Sequence, residues 1–99
     1  MSFAEGDFPQ IGQIVFSKRG RDSGRPFIII TFEGEYLFLV DGDIRPLSKP
    51  KKKKIRHVQK TNTVVNLSEA GPRGLQDADI RKWLKAFQQG GLEYCQRTM

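Results

Sequence analysis

The sequence SKRGRDSGR at residues 17–25 separates two apolar runs, IVF at residues 14–16 and FIII at residues 27–30. Apolar runs of this length are typical of β-strands, so the segment between them is predicted to be a loop. Gly20 and Gly24 supply the backbone freedom that a tight loop needs, because glycine adopts positive φ without steric cost. Four of the nine loop residues are cationic, which a simple hairpin loop does not require. The combination favours phosphate binding over a merely solvated turn.

The net charge of the 99-residue chain is +6, and it is concentrated locally. Residues 45–60 contain eight Lys or Arg residues and no acidic residue. Such a footprint indicates a polyanionic partner, either a nucleic acid or an anionic membrane surface. The first residues resemble no secretory signal, no apolar run is long enough to span a bilayer, and Cys95 is the single cysteine. We therefore expect a cytoplasmic protein that does not reside in a membrane.

The remaining pattern predicts five short strands separated by turn signals. These strands are residues 12–18, 27–32, 36–40, 44–47 and 55–60. The second and third strands carry apolar residues on both alternating faces, which is typical of strands covered on both sides. Pro46 has no N–H and places the fourth strand at an edge or a bulge. The lysine run at residues 51–54 is predicted to be a disordered basic arm, because adjacent like charges repel.

Residues 76–90 are predicted to form an amphipathic helix with Asp77 as its N-cap. Its apolar stripe has the spacing i, i+3, i+4 and i+7 and consists of Ile80, Trp83, Leu84 and Phe87. Gly90 and Gly91 are expected to end the helix. Residues 63–75 are predicted to be a loop, in which Val64 and Val65 could briefly extend the sheet. The fold expected for residues 1–99 is therefore a single, mainly β domain: a small five-stranded barrel, closed to avoid unpaired edges, with the helix as a lid.

The basic loop and its flanking strands resemble a KOW motif. Val15, Gly20 and Gly24 have the order apolar residue, glycine five positions on, and glycine four positions further, within residues 14–29. KOW motifs are strand–loop–strand elements of several large-subunit ribosomal proteins and of a bacterial transcription elongation factor. The resemblance implies that the cations of this loop contact RNA.

The resemblance extends over residues 11–62. Residues 40–46 and the lysine-rich segment up to Asn62 are similar to small bacterial KOW-domain RNA-binding proteins, which are in turn similar to KOW-containing large-subunit ribosomal proteins of archaea and eukaryotes. This resemblance implies an SH3-like barrel as the core of the domain. It also implies large-subunit ribosomal RNA as the partner, ribosomal proteins as further candidate partners, and a monomer when off the ribosome.

The candidate RNA-binding residues are the cations of the loop and of the basic segment that follows the third strand. They are Lys18, Arg19, Arg21, Arg25, Arg45, Lys49, Lys51, Lys52, Lys53, Lys54 and Arg56. Gly20, Asp22 and Gly24 are predicted to shape the loop, with Asp22 accepting backbone hydrogen bonds and holding Arg21 or Arg25 in position. A flexible lysine arm is compatible with RNA binding, since it can follow phosphates once they arrive.

Other functions have less support in the sequence. No paired carboxylates suit acid–base catalysis, and the single His57 and Cys95 give neither a metal site nor a recognisable catalytic motif. We therefore predict no enzymatic activity and no cofactor. Two alternatives stay open: an adapter for an acidic protein partner, and a transcription-associated KOW module that binds duplex DNA. The basic side of the helix, with Arg81, Lys82 and Lys85, is interpreted as a solvated face.

Overall fold

The computed structural model describes residues 8–21 and 23–89. Its elements are β1 (Gln13–Ser17), β2 (Pro26–Glu33), β3 (Tyr36–Val40), β4 (Lys51–Lys54), a 3₁₀ turn (Ile55–His57), β5 (Val58–Val64), a second 3₁₀ turn (Leu67–Glu69) and α1 (Asp77–Gln88). The chain is thus mainly β with a C-terminal helix, as predicted. No helix in the described part is both long and apolar enough to cross a membrane.

The five strands form one antiparallel sheet in the order β4-β3-β2-β1-β5. β4 and β5 are the two edges, and within the described residues no hydrogen-bonded ladder joins them. The sheet therefore does not close into the predicted barrel. The 3₁₀ turn between β4 and β5 redirects the chain, so that β5 pairs with β1 at the opposite edge.

The sheet buries apolar residues on both faces, which confirms the interpretation of β2 and β3. Under α1 lie Ile14, Ile28, Val40 and Val65, packed with the helix residues Ile80, Leu84 and Phe87. The other face buries Val15, Phe27, Ile29, Leu37, Leu39 and Val58. Neighbours in sequence such as Ile28 and Ile29 enter different clusters because side chains alternate along a strand.

The predicted fourth strand, residues 44–47, is wrong, because the chain turns there instead. The Asp41 carboxylate accepts hydrogen bonds from the backbone N–H groups of Asp43 (2.9 Å) and Arg45 (2.8 Å). The Arg45 carbonyl in turn accepts from the N–H groups of Asp41 and Gly42. These bonds satisfy the backbone within a turn at residues 41–45 and leave no ladder for a strand.

The predicted disorder of the lysine run is also wrong. Residues 51–54 form β4, which pairs with β3 in the register Tyr36↔Lys54 and Phe38↔Lys52. The prediction for residues 55–60 is corrected in the same region, since residues 55–57 form the 3₁₀ turn and β5 begins at Val58. β5 continues to Val64, so the first two residues of the predicted 63–75 loop belong to this strand.

The N-cap of the helix lies one residue earlier in the chain than predicted. Gln76 is the N-cap and Asp77 is the first helical residue, so the predicted cap at Asp77 is wrong. The Asp77 carboxylate instead accepts a 2.7 Å hydrogen bond from the backbone N–H of Leu47, and this ties the start of α1 to the segment after the 41–45 turn. Gly90 and Gly91 lie outside the described residues.

Candidate nucleic-acid interface

The basic loop has a defined backbone conformation. Gly20 and Gly24 have φ values of +84° and +85°, as the sequence predicted for them. The Gly24 N–H donates to the Ser17 carbonyl (2.7 Å), and the Ser17 N–H donates to the Arg25 carbonyl (3.1 Å). The buried Ser17 hydroxyl donates to the Arg19 carbonyl (3.0 Å). Hydrogen bonds inside the loop thus hold the cations on a shaped backbone before any ligand binds.

The loop is also attached to two other elements. The Lys18 N–H donates to the His57 carbonyl in the 3₁₀ turn (2.9 Å). From β4, the Lys53 ammonium donates to the Arg19 carbonyl (2.9 Å), and Lys53 is only 9% exposed. Lys53 therefore helps to position the loop, a role that the sequence did not indicate because the lysine run was predicted to be disordered.

Cations from the loop, β4 and the 3₁₀ turn meet around His57. We call this surface the basic corner. It consists of Arg19, Lys53, Lys54 and Arg56, whose charges act on His57, and of Lys18, whose backbone N–H donates to the His57 carbonyl. Partial desolvation of His57 and the charges of Arg19, Arg56, Lys53 and Lys54 lower the pKa of its imidazole below the usual 6.5. The charges that contribute to this shift are all cationic, so the corner offers an anionic ligand several positive groups. Arg21 is exposed in the same loop.

Tyr36 is a surface feature of β3 that the sequence did not reveal. The Lys52 ammonium lies 4.5 Å from the centre of the Tyr36 ring, and the Lys54 ammonium lies 5.9 Å from it. Lys52 and Lys54 share one face of β4 because side chains alternate along a strand. The cation–π contacts, each about 0.5–1 kcal/mol at an exposed site, give these lysines preferred positions. These contacts between the two lysines and Tyr36 can be recognised only once the pairing of β3 with β4 is known.

Arg25 lies in a second group of charges, around the 41–45 turn. Its guanidinium forms a 3.0 Å ion pair with the buried Asp41 carboxylate while its side chain stays 44% exposed. Arg45 belongs to the same turn, and Lys49 follows it on an exposed segment. Asp22, predicted to hold Arg21 or Arg25, lies outside the described residues. The candidate residues therefore divide between the basic corner with β4 and the surroundings of Asp41.

The described residues do not assemble a metal-binding cluster. Within residues 8–21 and 23–89, no three His, Cys, Asp or Glu side chains converge as ligands of one ion.

No protein-family model matches this chain, and no curated protein matches it in sequence.

Proposed function

We propose that this protein is an RNA-binding module, built on an SH3-like KOW domain, that docks on large-subunit ribosomal RNA. The basic corner is the observation that carries the proposal. Three elements bring their cations to one surface, and the charges that act on His57 within the described residues are all positive. The five-stranded antiparallel sheet, with a 3₁₀ turn between its two edge strands, supports the SH3-like part of the proposal.

The mechanism is electrostatic and geometric. Arg19, Arg21 and Arg56 present guanidinium groups that can bind phosphate oxygens with two parallel hydrogen bonds. Lys52 and Lys54 add compact charges along β4. Because the loop backbone is already fixed by hydrogen bonds, little ordering of it is required when RNA binds, and the cost of binding is reduced. Phosphate contacts of this kind set affinity and register but do not select a base sequence.

The salt dependence of RNA binding tests this mechanism. If about five phosphates are engaged, the logarithm of the association constant should fall with the logarithm of salt concentration at a slope of about −3.5 to −4.5. The measurement is fluorescence anisotropy of a labelled fragment of large-subunit ribosomal RNA between about 50 and 200 mM salt. A flat response would contradict the electrostatic account.

Competition in the same assay separates the alternatives. Unlabelled ribosomal RNA should displace the probe more effectively than duplex DNA at matched salt, and an acidic polypeptide should displace it least. Equal competition by duplex DNA would favour the DNA-binding alternative. Tight binding of the acidic polypeptide with weak binding of RNA would favour the adapter.

The pH dependence of binding should report on His57. Desolvation and neighbouring cations keep the pKa of His57 below 6.5 in the free protein, and a bound phosphate would offset the charges of those cations and raise the pKa. RNA binding then takes up a proton, so affinity should increase as the pH falls from about 7.5 to about 5.5. The His57→Gln variant should lose most of this increase. An unchanged pH profile in that variant would remove His57 from the interface.

A further inference from the structure

A cleft lies between the end of the basic loop, the 41–45 turn and α1. Its volume is about 280 Å³, and its lining includes Arg25, Asp41, Asp43, Arg81 and Lys85. Each of the three elements thus contributes at least one charged residue. The sequence did not indicate this site, because it exists only where α1 packs against the turn.

Hydrogen bonds fix two of the charged groups of the cleft. The Arg81 guanidinium donates through Nη1 to the Gly42 carbonyl (2.6 Å), which holds its side chain between α1 and the turn. The Arg25 guanidinium donates through Nη2 to Asp41 (3.0 Å). An arginine has five N–H donors, so each of these two guanidinium groups retains donors for a ligand.

The charges in the cleft favour an anion. Asp41 is already engaged on both oxygens, with Oδ1 accepting two backbone N–H groups and Oδ2 accepting from Arg25. The charge of Asp41 is therefore compensated within the protein. The charges left are those of Arg81, Lys85 and the exposed Asp43, which sum to a positive value. A phosphate group provides the acceptor oxygens that guanidinium and ammonium groups bind.

We propose that this cleft binds a phosphate of the same RNA, so that α1 is part of the RNA interface and not a solvated face. The inference rests on the proposed function. Residues 24–26 line the cleft and continue directly from the loop whose cations are proposed to contact RNA. An RNA backbone bound at the loop can therefore continue into the cleft. The Leu47–Asp77 and Gly42–Arg81 hydrogen bonds keep α1 at a fixed position relative to the turn.

Two neighbouring lysines of α1 allow a matched test. Lys85 lines the cleft, whereas Lys82 is exposed on the same helix and does not line it. Lys85→Glu and Lys82→Glu make the same change in net charge. We expect Lys85→Glu to weaken binding of the ribosomal RNA fragment roughly tenfold or more and to reduce the salt slope by about 1. The Lys82→Glu variant should stay within about twofold of the wild type, because exposed charges away from a contact are largely screened.

The outcomes distinguish this inference from the proposed function. Equal effects of the two substitutions, or no effect of Lys85→Glu, would overturn the cleft proposal while wild-type RNA binding remained intact. Absence of RNA binding by the wild-type protein would overturn the proposed function itself. Thermal unfolding of both variants, expected within a few degrees of the wild type, verifies that the helix stays docked.

Discussion

Gly42→Ala is expected to lower the free energy of unfolding by about 2–5 kcal/mol. Gly42 has a φ of +78°, a conformation that costs a residue with a Cβ about 1–2 kcal/mol. A Cβ at this position would also lie 2.5 Å from the Asp77 carbonyl oxygen, 2.9 Å from Arg81 Cγ and 3.1 Å from Ile80 Cβ. The Asp77 carbonyl is backbone and cannot turn aside, so α1 would have to move. Overpacking of this kind costs about 1–3 kcal/mol.

Gly34→Ala provides the control for Gly42→Ala. Gly34 has a φ of +60°, and a Cβ there would meet no other atom within 4 Å. This variant should therefore lose only the backbone contribution of about 1–2 kcal/mol. Urea unfolding can be followed by the fluorescence of Trp83. This residue is the single tryptophan of the chain, and it lies on α1 packed against the core beneath that helix. Equal losses in the two variants would show that α1 does not pack tightly on Gly42.

Reversing two charges of the basic loop is expected to have the largest effect on RNA binding. The double variant Arg19→Glu with Arg21→Glu should bind ribosomal RNA about 100-fold more weakly, since two hydrogen bonds to charged groups are lost. Its salt slope should become shallower by about 1.4–1.8. Stability should change by no more than about 0.5 kcal/mol, because the Arg19 carbonyl, and not its side chain, holds the loop. Arg25 is left in place because it pairs with Asp41.

The control for this variant makes the same change in net charge at two cations outside the proposed RNA-binding surfaces. Arg73→Glu with Lys82→Glu reverses two exposed cations that lie outside the basic corner, β4 and the cleft. We expect this variant to bind RNA within about threefold of the wild type, since charges remote from a contact are screened. A loss as large as that of the loop variant would show that net charge, and not a particular surface, determines affinity.

Three strands and the helix could be predicted because their signals are local. The apolar residues of β1, β2 and β3 form short continuous runs bounded by turn signals, and the bounds of β3 are those predicted. β4 could not be recognised, because a run of lysines resembles a solvated arm. Pairing with β3 and the Lys53 hydrogen bond to the Arg19 carbonyl stabilise that strand. Both are contacts between residues distant in sequence.

The strand predicted at residues 44–47 is absent because a nearby side chain binds the backbone there. An Asp side chain can bind nearby backbone N–H groups and so compete with strand pairing. Asp41 does this for two N–H groups of the turn while it also pairs with Arg25. The predicted strands at residues 36–40 and 44–47 left a turn at residues 41–43, but the sequence did not indicate how far that turn would extend. The ion pair with Arg25 joins residues 16 positions apart and has no sequence pattern.

The residues of the candidate site could be predicted from the sequence, but their positions relative to one another could not. The glycines and cations of the loop predicted a shaped basic surface, and positive φ at Gly20 and Gly24 confirms the shape. The meeting of Arg19, Lys53 and Arg56 around His57 depends on where β4 and the 3₁₀ turn lie. The cleft with Arg81 and Lys85 likewise requires α1 to be docked.

Sedimentation of a native lysate through a sucrose gradient, at low and high salt, tests the central claim most directly. The wild-type protein, detected with an antibody, should comigrate with the large ribosomal subunit at low salt and be partly released at high salt. The Arg19→Glu, Arg21→Glu variant should remain near the top of the gradient at both salt concentrations. Migration of the wild-type protein only at the top of the gradient under both conditions would contradict docking on the large subunit.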